Sequence, residues 1–169
     1  MYRAKAYIVV YIVLIAGLAV FSAVLYENVS YLNSYYSVHN ANINTSSLCG
    51  LGKPSMLMYY DNTCEDCFGE YAAFRNDTSL FGIWTGQDFY SGYFCAYAFN
   101  MSGYSTNGSV SIPPEALSIL RNTSGGSVPL FIFGGAYSKI GSYPSLSAAD
   151  SGILEYICKS INNSAPQCG

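Results

Sequence analysis

Apolar residues fall into one long run and several short ones. From Tyr7 to Tyr26 the chain reads YIVVYIVLIAGLAVFSAVLY without a charge. Twenty such residues rise about 30 Å as a helix, the depth of a bilayer's hydrocarbon core. Further on the runs shrink. Ser55 to Tyr60, Tyr93 to Phe99 and Leu130 to Phe133 are short and apolar on both faces, which predicts buried strands. Glu65 to Arg75 predicts a helix, with Phe68, Tyr71, Ala72 and Phe74 available for one apolar side. Pro113-Pro114-Glu115 opens a second helix that runs to Leu120 or Arg121, with proline tolerated in the first turn, and Gly125-Gly126-Ser127 breaks it. Gly134-Gly135 is a hairpin turn into a strand from Ala136 to Ser142. A closing helix spans Ser147 to Ile161, where Ile153, Leu154, Ile157 and Ile161 recur at helical spacing. This order predicts an α/β sandwich with a mixed sheet. By the right-handed crossover rule its first strand-helix-strand unit is parallel.

The long run also sets the compartment. Arg3 and Lys5 precede it and Glu27 follows, so the positive-inside rule leaves residues 1–6 in the cytoplasm, makes residues 7–26 a transmembrane anchor and exports the rest. A cleaved signal peptide is the rival, since Gly17-Leu18-Ala19 fits a small-x-small site, but the apolar run continues past that point. Residues 27–48 lack a sustained apolar run and read as an extracytoplasmic stalk, with His39 a solvated linker residue. Residues 49–162 form one compact domain, and residues 163–169 a short polar tail.

Charge is scarce beyond the anchor. The chain has 7 basic and 10 acidic residues; without Arg3 and Lys5, residues 27–169 hold 5 basic against 10 acidic, a net of −5. No basic stripe exists for nucleic acid. Polarity comes instead from Ser, Asn and 17 Tyr, and seven Asn-x-Ser/Thr triplets begin at Asn28, Asn44, Asn76, Asn100, Asn107, Asn122 and Asn162. Each is a glycan acceptor where the host has the machinery, and each also arises by chance in so Asn-, Ser- and Thr-rich a chain. Low charge density further suits an acidic exterior, a reading that a sharp loss of stability below pH 4 would count against.

Candidate chemistry centres on Cys64-Glu65-Asp66-Cys67, which follows a strand and opens a helix. A helix N-terminus carries about half a positive charge and unpaired N–H groups, which favour the thiolate, the form that attacks disulfides. Cys64 is expected to be exposed and to react first; Cys67, one turn on, faces inward and acts second. Glu65 and Asp66 oppose thiolate formation while suiting a helix start, so they tune the redox poise. The remaining cysteines, Cys49, Cys95, Cys158 and Cys168, fit an oxidising setting and allow three pairings. Cys158 and Cys168 lie ten residues apart and suit a local bridge, which leaves Cys49 for Cys95 unless Cys95 is a buried thiol. No second CxxC or CxxH supports a metal site, and His39 is the single histidine, which removes His-dependent hydrolases and Cys-His nucleophile pairs.

Three matches in order, namely strand then Cys64-x-x-Cys67 then helix, Val128-Pro129 just before a strand, and the Gly134-Gly135 hairpin before a final amphipathic helix, resemble the thioredoxin-fold superfamily. The likeness is to its exported DsbA- and PDI-like disulfide oxidoreductases and covers about residues 53–162. It implies a thioredoxin-like three-layer sandwich, catalytic Cys64 and Cys67, a cis Val128-Pro129 bond whose backbone holds an extended client, and no cofactor beyond the Cys64–Cys67 redox disulfide. It also implies cysteine-containing exported clients and, for an oxidase, a membrane quinone-linked partner of the VKOR or DsbB kind. Two positions depart from thioredoxin itself. Met58 stands where thioredoxins bury an acid, six positions before the first Cys, and Thr63 stands where they have Trp. The alternatives are a tethered reductase of the cytochrome-maturation type, a thioredoxin-like client-binding subunit of a glycosylation complex, and a structural glycoprotein in which Cys64–Cys67 only stabilises.

Overall fold

The computed structural model describes residues 15–26, 37–86, 88–102, 104 and 112–169. They belong to two separate compact units, one holding residues 15–26 and the other residues 37–169. The first is a helix, α1, with Ile15, Leu18, Val20, Phe21, Val24 and Leu25 all exposed. The expected anchor begins at Tyr7, and residues 7–14 lie outside the described residues. Among those described, no helix is long and apolar enough to cross a membrane.

The second unit is a mixed α/β domain. Its strands are β1 (His39–Asn40), β2 (Ser55–Tyr60), β3 (Gly82–Thr85), β4 (Asp88–Ser91), β5 (Cys95–Asn100), β6 (Leu130–Phe133) and β7 (Tyr137–Ile140), and its longer helices are α2 (Glu65–Ser79), α3 (Pro114–Ser124) and α4 (Leu146–Ser160). The sheet runs β1-β7-β6-β2-β5-β4-β3. At its centre β2 pairs in parallel with β5, as the strand-helix-strand unit predicts, and antiparallel with β6, while β6 pairs antiparallel with β7 across the Gly134-Gly135 turn. Every residue of β2 and β6 is buried, which is why both appear as unbroken apolar runs. Alternate residues feed two cores. Met56, Met58, Phe131 and Phe133 pack with Phe74, Ile153 and Ile157 of α2 and α4, whereas Leu57, Tyr59, Leu130 and Ile132 pack with Ala116, Ile119 and Leu120 of α3. The sheet therefore lies between α2 and α4 on one face and α3 on the other.

Local chemistry sets the helix ends. Pro114 takes the first turn of α3, and Gly125 ends it at φ 65°, a left-handed cap whose N–H returns to the Arg121 carbonyl. Ser145 caps α4 by accepting from the Ala148 N–H at 3.2 Å.

Several expectations change. The face that α2 buries is not the aromatic side. Cys67, Glu70, Ala73, Phe74, Asp77 and Thr78 are buried, while Phe68 and Ala72 are exposed and Tyr71 half-buried. Cys67 must point inward at the helix start, and that fixes the rotation, so two carboxylates follow it into the interior. The β3–β4 hairpin was unmarked in the pattern, because its four-residue strands send only Trp84 and Phe89 toward the core. The strand predicted from Ala136 to Ser142 is shorter, Tyr137–Ile140.

The expected stalk, 27–48, divides. Residues 27–36 lie outside the described residues, and from His39 the chain joins the sheet through β1, which pairs with β7. Backbone contacts continue, with the Ala41 N–H donating to the Ala136 carbonyl at 2.7 Å and the Ile43 N–H to the Gly135 carbonyl at 2.9 Å. Pairing through backbone needs no apolar run, so the pattern of the segment carried no sign of it. His39 remains exposed, on β1 and beside the Ser37 hydroxyl.

The close approach at Gly135 is specific. Its φ is +77°, and a Cβ there would lie 2.2 Å from the Ile43 carbonyl oxygen. Gly135→Ala is therefore expected to cost roughly 2–3 kcal/mol, from left-handed strain plus a displaced backbone. A urea midpoint within error of the parent would refute this.

Candidate thiol site at the start of α2

Chain exit from β2 builds the site. After Tyr60, the Asp61 carboxylate accepts from the Thr63 N–H at 2.7 Å and its hydroxyl at 2.6 Å, and the Asp61 carbonyl accepts from the Cys64 N–H at 3.1 Å. The Thr63 hydrogen bonds hold the Asp61 carboxyl below the usual carboxylate range. A second tether comes from the end of β5. The Asn62 N–H donates to the Ser102 hydroxyl at 2.8 Å, which in turn donates to the Asn100 side-chain oxygen at 2.6 Å. These turn-forming residues present Cys64 at the N-cap of α2.

Cys64 and Cys67 form a disulfide with Cα atoms 5.3 Å apart. Cys64 is half-buried and Cys67 fully buried, so an incoming sulfur meets Cys64 first. The Cys67 N–H, in the first helical turn, is shared between the Cys64 carbonyl at 3.2 Å and Cys64 Sγ at 3.2 Å. That donor stabilises negative charge on the same sulfur once the bridge opens. Glu65 and Asp66 stand exposed in the first turn.

Val128-Pro129 reaches the same end of the sheet. The antiparallel register pairs Tyr59 with Leu130, so the residues just before Leu130 lie beside the point where β2 leaves for Cys64. The Val128-Pro129 bond is cis. Cys64 and Val128 both pack at the margin of the α2–α4 core. Exposed Phe68, the residue after Cys67, adds an apolar surface that the pattern had assigned to the interior.

The other cysteines stand apart from this site and are all bonded. Cys49 joins Cys95 at the start of β5, and Cys158 on α4 joins Cys168 in the tail, which closes in a short turn at Pro166–Cys168. Among the described residues no group of His, Cys, Asp and Glu is arranged to hold a metal ion. Sequence reasoning missed Asp61, Asn100 and Ser102, whose hydrogen bonds fix the loop, and Glu70, which is buried a turn beyond Cys67. Asp61-Asn62 after a strand was the available turn signal; burial of Glu70 had none. Comparison of the chain with known protein families, with characterised proteins and with solved structures found no match.

Proposed function

We propose that the chain is a membrane-tethered, extracytoplasmic thiol-disulfide oxidoreductase with a thioredoxin-like domain, acting as an oxidase or isomerase on exported cysteine-containing proteins. One observation carries the reading: a CxxC disulfide at a helix N-cap, with its first cysteine half-buried, its second fully buried and a backbone N–H aimed at the first sulfur. A bridge serving stability alone gains nothing from that asymmetry. The β2-α2-β5 crossover, the β6–β7 hairpin and α4 lie in the order that the thioredoxin-like resemblance implies, and a cis Val-Pro at the same sheet end suits a ledge for extended client backbone. The exposed apolar surface of α1 suits lipid.

As an oxidase, a client thiolate attacks Cys64 Sγ, a client–Cys64 disulfide forms, and the Cys64–Cys67 bond breaks with Cys67 leaving as the thiolate. A second client thiolate then attacks the client's sulfur and expels Cys64. The client loses two electrons and the pair gains them. A quinone-linked partner of the VKOR or DsbB kind restores the disulfide. As an isomerase, reduced Cys64 attacks a client disulfide and Cys67 resolves any stalled mixed disulfide.

The deciding measurement is the potential of the Cys64/Cys67 pair against glutathione. A value less negative than about −200 mV is expected; one near −270 mV would reassign the pair to reduction, and a pair that never equilibrates with glutathione would sink the reading.

A further inference from the structure

The face of α2 that packs on α4 carries Glu70 and Asp77, only 3% and 8% exposed. Seven residues are two helical turns, so both carboxyls lie on one stripe. One oxygen of Glu70 accepts the Tyr143 backbone N–H. Its other oxygen, and one oxygen of Asp77, are buried without a hydrogen-bond partner among the described residues. An ionised carboxylate left that way is costly, whereas a protonated one is tolerated.

Few charges face the pair. Glu70 meets Asp66 of its own helix, Lys139 of β7 and Tyr143 of the loop before α4. Asp77 meets Asp150 of α4 and the same Tyr143, which also meets Glu155 and Tyr156 of α4. The Lys139 ammonium donates to the carbonyls of Gly141 at 2.8 Å and Ser142 at 2.9 Å and sits 4.6 Å over the Tyr143 ring. Burial pushes Glu70 up to about 7 against the opposing Tyr143 N–H and Lys139. Burial, with Asp150 adding to it, pushes Asp77 up to about 7.

We propose that the α2–α4 interface is a proton-operated clasp: Glu70 and Asp77 dock as neutral acids, and their ionisation loosens the helix that carries Cys64 and Cys67.

The sign follows from proton linkage. Each carboxyl holds its proton more tightly in the folded chain than in the unfolded one. Its contribution is fully present below the ordinary carboxylate range and is lost as pH rises to about 7. Two groups act in the opposite sense outside that window. Asp61, held low, favours folding less as pH falls below the carboxylate range, and Lys139, pushed down to about 8 by burial, favours folding more as pH climbs above 8. The interval from pH 5 to 8 therefore isolates the clasp. A domain of so little charge, built around neutral acids, is suited to acidic surroundings.

The test uses the full chain in non-ionic detergent with its disulfides intact and reads no thiol chemistry, so it stands or falls apart from the proposed activity. Denaturant unfolding from pH 5 to 8 is expected to show the folding equilibrium falling by between tenfold and roughly a few hundredfold. Glu70→Gln and Asp77→Asn are each expected to remove part of that slope and the double variant most of it. Hydrogen exchange on the parent chain, corrected for intrinsic rates, is expected to show α2 opening above pH 7 while β6 stays protected. A flat or rising parent profile, a double variant with the parent's slope, or α2 exchange that tracks β6 would overturn the clasp. If a variant fails to fold, the parent's profile and exchange still decide.

Discussion

Cys67→Ala in its reduced form is expected to accumulate mixed disulfides with disulfide-bonded exported proteins, the Cys64 thiolate attacking a client disulfide and expelling the client's other sulfur as thiolate, whereas Cys64→Ser accumulates none and loses client oxidation by roughly a thousandfold or more. The asymmetry comes from burial. Cys64 is half-buried and its Sγ receives the Cys67 N–H, whereas Cys67 is fully buried, so Cys64 is the sulfur met first and the better leaving thiolate. Removing Cys67 takes away the group that resolves the adduct and leaves the one that forms it. Both variants should stay folded, because the Cys64–Cys67 loop is too short to restrict the unfolded chain much. Non-reducing gels of each reduced variant incubated with an oxidised multi-disulfide client read the trapping, and refolding of the same client from its reduced form reads the oxidation. Equal trapping by both would mean that Cys67 is accessible, and trapping by neither would leave the bridge structural.

Loss of the Cys49–Cys95 bridge should cost stability rather than chemistry. It closes a separation of 46 residues and fastens the start of the domain to β5, beside the central strand β2. Loop-closure entropy for that length is worth roughly 4 kcal/mol, against roughly 2.7 kcal/mol for the ten-residue Cys158–Cys168 loop. The paired Cys49→Ala and Cys95→Ala chain is thus expected to unfold at clearly lower denaturant than the Cys158→Ala and Cys168→Ala chain. Its Cys64/Cys67 potential should be unchanged under folding conditions. The reverse order of stabilities would show that native-state packing of the tail, where Ala165 is buried, outweighs chain entropy.

What could be read beforehand and what could not divides along physical lines. β2, β5 and β6 lie buried at the centre, so their residues are apolar on both faces and the runs stand out. Gly125 and Gly134 mark the end of α3 and the β6–β7 turn because those positions sit at φ 65° and 62°, where other residues are strained. The CxxC pair was legible as two residues of one type at one spacing. The β3–β4 hairpin was not, since two four-residue strands hold too few inward positions for a period of two to register. The orientation of α2 misled, because Phe68 and Ala72 invite burial by type, while the inward face is set by Cys67 and accepts Glu70 and Asp77 at the cost of their charge. Met58 on β2 carries no carboxyl, and the buried acids Glu70 and Asp77 both come from α2.

Both outer strands of the sheet are very short: β1 has two residues and β3 four. An open strand edge is a template for pairing with another chain, and many proteins guard it with lysines. With charged residues only 10% of this sequence, that guard is thin, and Ile83 lies exposed on β3. Brevity takes its place: two to four residues offer too few consecutive backbone donors and acceptors to seed edge-to-edge pairing between copies.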